Sequence, residues 1–260
     1  MLKGVLAALL FSASFVSPAC AEDFAYHPPG KLQPSPTGKL PGSGDVSNRT
    51  IYAPNIRLPI ELNDGEGIYP NSQVYRPGGM NGGNGSVQCD HSNYAMPWAD
   101  VFCENRSRET KLCPGAKGHQ GVDIRPPACK DKIYFAVAVE DGTISGINPR
   151  TSSITLTGRT GTTYLYLHLD PPSFLVKHDS KVKAGDRLGK VSNLMNGGHD
   201  TTVHLHFEIK QTVSYKGKIV PATNVPPYTS LIQANRQRLG LPNLNNNGVL
   251  DRDPVREMNN

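Results

Sequence analysis

The chain has 260 residues, which is enough for one well-buried domain with extensions or for two small domains. It contains 26 glycines and 22 prolines, with 19% charged and 7% aromatic residues, a composition typical of loop-rich β proteins rather than of coiled coils or fully disordered chains. The net charge of +5 is mild. Because no long run of lysine and arginine accompanies it, a nucleic-acid partner has little support.

Residues 1–21 have the pattern of a secretory signal peptide. Lys3 precedes an apolar run from Val5 to Val16, and Ala19-Cys20-Ala21 offers small residues for cleavage. A lipid anchor on Cys20 is an alternative that the preceding Ser-Pro-Ala lead-in disfavours. The run is too short to span a bilayer comfortably, and no later stretch is apolar enough to do so. We therefore expect an exported mature protein without an integral membrane segment.

The remaining chain divides by composition. Residues 22–50 are rich in proline, glycine and serine and predict a disordered linker. Residues 51–112 lack a regular hydrophobic period and predict an irregular extension pinned by disulfides, in which Trp98 packs at the edge of the core. Residues 113–225 predict a β domain, and residues 226–260 a short helix, with Thr229 or Ser230 as its cap, followed by a loose tail.

Alternating patterns within residues 113–225 predict antiparallel β-structure in a sheet or sandwich. Short strands separated by turns occur at 133–147, 152–158, 162–170, 181–193 and 203–210. In TYLYLHLD we expect the leucines at 165, 167 and 169 to face the apolar layer, and the tyrosines and His168 to face the opposite side. In VHLHFEIK the same reasoning places His204, His206 and Glu208 together on the polar face.

Four histidines and one aspartate form a candidate metal site. His119 and Asp123 are four residues apart, His204 and His206 are two apart, and each pair shares one face of an extended strand. If the strands are neighbours, both pairs and His168 converge on one cleft. Zinc accepts imidazole and carboxylate ligands and leaves a position for water in catalytic sites, so two histidines and one aspartate would hold it. The two remaining histidines would then be available for proton transfer.

The motifs GHQGVDI, YLYLHLD, KVKAGDRLGKV and HLHFEI, in this order over Gly118 to Lys210, resemble the lysostaphin/LytM family of zinc peptidases. The resemblance implies an antiparallel β fold with a groove, one zinc ion and peptidoglycan as the substrate. It implies His119, Asp123 and His206 as the metal ligands, and His204 and His168 as catalytic histidines. For an exported chain we expect a D,D-endopeptidase rather than an enzyme that cuts glycyl bridges. We favour His204 as the general base and His168 as the residue that binds the developing oxyanion or shares the proton transfer, and the reverse assignment of these two roles stays open.

Two other functions compete with this interpretation. One is a non-catalytic LytM-like regulator that binds and activates a cell-wall amidase, which the complete five-residue set disfavours. The other is a lipoyl-like carrier, which would need an exposed modified lysine at a hairpin tip. The sequence departs from the family in the NLMNGGHDTTV loop and in its cysteines. It leaves open which bond is cut and whether residues 51–112 inhibit the site.

Four cysteines remain after export: Cys89, Cys103, Cys113 and Cys129. An even number behind a signal peptide predicts two disulfides and an oxidising compartment, and we expect the periplasm. A zinc site built from these cysteines is disfavoured because their spacing lacks a Cys-x₂-Cys pair. We favour the local pairs Cys89–Cys103 and Cys113–Cys129. The alternative links Cys113 or Cys129 to Cys89 or Cys103 and anchors the extension beside the groove.

Overall fold

A computed structural model describes residues 50–75, 79–80, 87–95 and 98–244. The predicted signal peptide, nearly all of the predicted linker and most of the predicted tail lie outside these ranges. Among the described residues, no helix combines the length and the apolar character needed to cross a membrane.

The described residues form thirteen strands, one α-helix and four short 3₁₀ helices. The helix α1 is Tyr228–Arg238, and the 3₁₀ helices are His91–Tyr94, Pro114–Ala116, Pro149–Thr151 and Pro171–Ser173. The strands are β1 (Tyr69–Pro70), β2 (Val122–Arg125), β3 (Phe135–Val137), β4 (Gly142–Asn148), β5 (Ser153–Gly158), β6 (Thr163–Leu167), β7 (Leu169–Asp170), β8 (Lys181–Val182), β9 (Arg187–Val191), β10 (Leu194–Met195), β11 (His199–Asp200), β12 (Leu205–Tyr215) and β13 (Lys218–Val225).

The main sheet has eight strands in the order β1-β2-β12-β6-β5-β4-β8, with β13 also paired to β12. A second sheet has the order β3-β9-β7, and β10 pairs with β11. The pairings between these strands are all antiparallel. The mainly antiparallel β fold predicted from the sequence is therefore confirmed, and β12 lies at its centre.

The side chains of β12 alternate between the two faces of the sheet as predicted. Leu205, Phe207 and Ile209 are fully buried in the apolar core. His206 and Glu208 project from the other face and are also almost inaccessible to solvent, because further chain segments cover that face. The central strand therefore has a hydrophobic face and a buried polar face.

The prediction of which β6 side chains face the core is wrong. Tyr164 and Tyr166 are buried in the core, whereas Leu165 and Leu167 are only half-buried and line the groove on the polar side. The core accepts Tyr166 because its hydroxyl receives a hydrogen bond from the Val139 N–H at 3.0 Å, so the buried oxygen is satisfied. His168 has φ of 65°, which breaks the alternation and lets its ring join the groove with the leucines.

The extension shares the core of the β domain. Ile56, Leu58, Ile60, Trp98 and Phe102 are buried in the same hydrophobic cluster as the strands. Trp98 packs in this core as the sequence predicts, and its indole N–H donates to the Ile68 carbonyl at 2.8 Å. The described residues of the segment 51–112 therefore pack against the main sheet as part of one hydrophobic core.

The predicted helix caps are also wrong. The α1 helix begins after Pro227 without a side-chain cap. The Ser230 hydroxyl instead accepts a hydrogen bond from the Ala53 N–H, and the Thr229 hydroxyl donates to the Thr50 carbonyl. Both hydroxyls thus attach the segment around residues 50–53 to the helix.

The disulfide pairing differs from the favoured local pairs Cys89–Cys103 and Cys113–Cys129. The structure contains Cys89–Cys129 and Cys103–Cys113, with Cα atoms 5.4 Å apart in each pair. Each bridge therefore joins the extension to the segment that flanks β2, as in the alternative pairing. The favoured pairs do not form because the extension folds back beside the loop of His119, where the Cys103 N–H donates to the His119 carbonyl at 3.0 Å.

Candidate metal centre

The register of three neighbouring strands assembles the site. In β12, His206 lies directly opposite Asp123 of β2 on one side and Leu167 of β6 on the other. His168 follows Leu167 at the end of β6, and His204 immediately precedes β12. Four of the five predicted site residues therefore reach the site from adjacent positions in the sheet.

His119 comes from the loop before β2 and is held by the extension. Its N–H donates to the Glu104 carbonyl at 2.8 Å, and its carbonyl accepts from the Cys103 N–H at 3.0 Å. Its ring Nδ1 lies 3.0 Å from the Val101 carbonyl oxygen. The extension thus fixes both the backbone and the ring of this residue.

Three donor atoms form a close triangle at the base of the groove. The His119 Nε2 lies 3.0 Å from the His206 Nδ1 and 3.2 Å from the Asp123 Oδ1. The His206 Nδ1 lies 2.9 Å from the same Asp123 oxygen. All three residues are buried, and together they form a group with the spacing of a metal site.

The proton positions on the two rings make this triangle suitable for a cation. With a cation between the three donor atoms, the ring nitrogens that face oxygens outside the triangle carry the protons, because a carbonyl or carboxylate oxygen only accepts hydrogen bonds. The His119 Nδ1 faces the Val101 carbonyl, and the His206 Nε2 faces the Glu208 carboxylate at 3.1 Å. In the neutral rings, the two remaining nitrogens and the Asp123 oxygen therefore direct lone pairs at one point.

The spacing also fits zinc. A tetrahedral zinc with ligands at about 2.0–2.1 Å has donor atoms about 3.3 Å apart, close to the distances in this triangle. Imidazole and carboxylate are the ligand types that zinc accepts. The residues present therefore fit the metal.

The charged groups around His206 are strongly coupled. Burial opposes the charged form of His206, but its hydrogen bonds to Asp123 and Glu208 outweigh burial and raise its pKa to about 9. Burial raises the pKa of Glu208, but the hydrogen bond and charge of His206 outweigh burial and bring it to about 2. Burial likewise opposes ionisation of Asp123, yet His119 and His204 hold its pKa well below the usual value. Without a metal, His206 therefore carries a second proton, and this proton relieves the repulsion between the lone pairs of the three donor atoms.

His204 and His168 lie beside the triangle with their ring centroids 4.5 Å apart. The His204 Nδ1 faces the Thr202 carbonyl at 2.7 Å, and the His168 Nδ1 faces the Leu194 carbonyl at 2.9 Å. Both rings therefore carry the proton on Nδ1, which leaves Nε2 as an acceptor. The His204 Nε2 lies 3.5 Å from the Asp123 Oδ1, so it borders the ligand triangle. Burial, followed by the charges of His204 and His206, holds the pKa of His168 well below its usual value.

The groove over this site contains residues that no sequence motif predicts as part of it. Its volume is about 360 Å³. Leu165 and Leu167 supply an apolar floor, while the extension and the loops contribute most of the other side chains. Those not predicted as site residues include Gln73, Val74, Met80, Arg106, Arg108, Met195, Asn196, Thr201 and Lys210. No motif in the extension signals this role, because its residues reach the groove only through tertiary packing.

The other histidines show no ligand geometry where they are described. His91 and His178 are exposed. His178 pairs with Asp179 at 3.0 Å on the surface. His27 lies outside the described residues.

A protein-family model matches the β-rich part of the chain. Residues 117–221 match the model of peptidase family M23, and this range falls inside the predicted β domain of 113–225. No curated protein sequence matches the chain at the significance required.

Several solved structures are similar to the chain. A protein from Ruminococcus gnavus assigned as a glycyl-glycine endopeptidase LytM is 23% identical with a TM-score of 0.42, and the match covers 74% of this chain and 65% of that protein. The catalytic domain of lysostaphin from Staphylococcus simulans is 26% identical with a TM-score of 0.34 and coverages of 44% and 80%. A zinc-containing peptidase from Vibrio cholerae is 23% identical with a TM-score of 0.30 and coverages of 43% and 32%.

The family match covers the loop of His119, the strands β2, β6 and β12, and the hairpin that carries His204 and His206. These elements also build the donor triangle and its two neighbouring histidines. Residues 117–221 of this chain therefore form a domain of peptidase family M23.

Proposed function

We propose that the protein is a zinc metalloendopeptidase that hydrolyses peptide bonds of peptidoglycan. The convergence of three buried lone pairs, from His119, Asp123 and His206, at the base of an open groove carries this proposal. The match to a peptidase family supports the reaction class.

The His119 Nε2, the Asp123 Oδ1 and the His206 Nδ1 would hold the zinc ion. When bound, zinc supplies a Lewis acid that polarises the scissile carbonyl and lowers the pKa of water. Glu208 fixes the ring of His206 through its Nε2–H and so keeps Nδ1 directed at the metal position. Val101 fixes the ring of His119 in the same way.

His204 is the proposed general base. Because its Nδ1–H is bound to the Thr202 carbonyl, its Nε2 is free to accept a proton from the attacking water and to return it to the leaving amine. The His168 Nε2 has the same acceptor character and would hold the second proton of the water, which orients the nucleophile. Leu165 and Leu167 would pack against the substrate on the groove floor.

A D,D-endopeptidase acting in the periplasm is the proposed specific form of this activity. The signal-peptide pattern of residues 1–21 supports export, and the two disulfides suit an oxidising compartment. Peptidoglycan cross-links lie in the same compartment and are therefore accessible to the exported chain.

Digestion of purified sacculi by the mature chain, followed by mass spectrometry of the products, tests the proposal. We expect soluble muropeptides with newly freed peptide termini, loss of the products with a chelator, and recovery with added zinc. Intact sacculi together with a chain that binds no stoichiometric zinc would contradict the proposal and favour the amidase-regulator alternative.

A further inference from the structure

We infer that the groove binds a free carboxylate of its peptide substrate through Arg108, assisted by Lys210. This inference rests on the proposed function for the identity of the substrate, and it deepens that function by naming the substrate group that is recognised. We call Arg106, Arg108 and Lys210 the basic rim, because all three line the groove that contains the donor triangle.

Arg108 is rigidly placed next to the metal ligands. Its carbonyl accepts a hydrogen bond from the Gly118 N–H at 3.0 Å, and Gly118 directly precedes His119. The following residue, Glu109, forms an isolated β-bridge with Lys117. The backbone of Arg108 is therefore fixed beside the ligand loop, while its side chain is exposed and lines the groove.

The guanidinium of Arg108 has no ion-pair or hydrogen-bond partner among the described residues. Arg106 differs, since its guanidinium is bound to Glu104 at 2.5 Å and to the Asn105 carbonyl at 2.9 Å, and it also lies over the Tyr75 ring. Arg106 is thus committed to the wall of the groove. Arg108 is the arginine of the rim that is available to a ligand.

Lys210 approaches from the sheet. It shares one face of β12 with His206 and Glu208, which places it about 13 Å along the strand from His206 at about 3.3 Å per residue. Its ammonium lies 3.5 Å from the Glu208 Oε2 and is partly exposed. That oxygen also accepts a hydrogen bond from the Asn224 side chain at 2.7 Å. Lys210 and Asn224 therefore share one carboxylate oxygen of Glu208.

The charges of the groove do not cancel locally. Its acidic residues, Asp123 and Glu208, face His206 and are occupied by the donor triangle and its support. Arg106 is paired with Glu104 and Lys210 with Glu208, so Arg108 is the rim cation that has no carboxylate partner among the described residues. An arginine binds a carboxylate through two parallel hydrogen bonds, which makes Arg108 suited to recognise this group rather than an uncharged peptide.

Binding of synthetic stem peptides tests the inference. The parent probe is L-alanyl-γ-D-glutamyl-meso-diaminopimelyl-D-alanine, compared with three variants in which one carboxylate at a time is a carboxamide. Isothermal titration of the full mature chain, with and without added zinc, measures each affinity. We expect one carboxamide to bind about tenfold more weakly than the parent. We expect Arg108→Gln to abolish this difference, and added salt to reduce it.

Arg159→Gln is the matched control, because Arg159 is an exposed arginine on the β5–β6 turn and does not line the groove. It should preserve the full preference. The inference is overturned if the wild-type chain does not bind the parent or binds all four peptides equally, or if Arg108→Gln weakens all four by one factor. A chain that keeps the carboxylate preference but cuts no muropeptide would refute the proposed activity and leave the carboxylate site standing.

Discussion

The carbonyl oxygen of Val101 lies 3.0 Å from the Nδ1 of His119 and accepts its proton. This contact joins the N-terminal extension to a residue of the donor triangle. Val101 is two residues from Cys103, whose disulfide to Cys113 holds the extension against the ligand loop. The extension is therefore a structural part of the metal site as well as a wall of the groove.

Removal of the Cys103–Cys113 bridge should weaken metal binding. The double variant Cys103→Ser/Cys113→Ser frees the segment that positions Val101, so the ring of His119 loses its fixed orientation. We expect zinc affinity to fall about tenfold, as for the loss of other groups that orient metal ligands. A competitive zinc titration measures the affinity.

The second disulfide supplies the control for this experiment. Cys89→Ser/Cys129→Ser removes a bridge with a sequence separation of 40, compared with 10 for Cys103–Cys113. Each double variant should lower the free energy of unfolding by about 2–4 kcal/mol. Only the Cys103/Cys113 variant should lose zinc affinity at a temperature where both remain folded. Equal affinities in the two variants would refute the role given to the extension.

Removal of the Glu208 carboxylate should weaken the metal site from the opposite side. Glu208 accepts from the His206 Nε2–H at 3.1 Å and is itself held by Asn224. Glu208→Ala should lower zinc affinity about 10- to 100-fold, because the ring of His206 loses the acceptor that sets its tautomer. Glu61→Ala is the control, since Glu61 pairs with Arg187 on the surface. An unchanged affinity in Glu208→Ala would contradict the prediction.

Much of the site was predictable because two motifs lie on strands that pair with each other. The period-2 pattern of VHLHFEIK correctly predicts a buried apolar face and a polar face, and the β12–β2 register then places His206 opposite Asp123. The turn before Thr162 was also predictable, because the geometry of a short turn depends on neighbouring residues alone.

The errors arose where a tertiary contact decided the outcome. The β6 prediction assumed that leucines seek the core more strongly than tyrosines, but the Tyr166 hydroxyl finds a buried donor at Val139. The break at His168 depends on a positive φ that the alternating pattern of its strand does not signal. The disulfides and the contribution of Arg108 depend on how an irregular segment folds back over the sheet, which has no periodic pattern in the sequence.

The carboxyl of Asp100 should make stability depend on pH. It is fully buried, its Oδ1 accepts the Phe102 N–H at 3.0 Å, and its Oδ2 has no partner in the described part of the chain. Burial, only partly offset by that hydrogen bond, raises the pKa of Asp100 from 3.8 to about 8. The folded chain therefore keeps a proton that the unfolded chain has released. Its contribution to stability is fully present below pH 3.8 and is lost as the pH rises towards about 8.

Asp100→Asn tests this pH dependence. The amide cannot ionise, so the variant should be more stable than the wild type by about 1–3 kcal/mol at pH 8 and nearly equal to it at pH 4. Urea unfolding at the two pH values gives the free energies. Asp64→Asn, at an exposed position, should change them by less than about 0.5 kcal/mol. Parallel pH profiles for the wild type and Asp100→Asn would show that the carboxyl does not carry the effect.

The histidines of the metal site and its neighbours should separate into two functional groups. His206→Ala removes a donor of the triangle, so it should abolish both zinc binding and sacculus digestion. His204→Ala and His168→Ala leave the triangle intact, and each should retain stoichiometric zinc while the rate of digestion falls about 10²- to 10⁴-fold. Metal content by elemental analysis and release of labelled muropeptides supply the two measurements. His178→Ala, at a surface position, should match the wild type in both. A His204→Ala chain that digests sacculi at the wild-type rate would remove it as the general base, and a zinc-free His204→Ala chain would instead place it among the ligands.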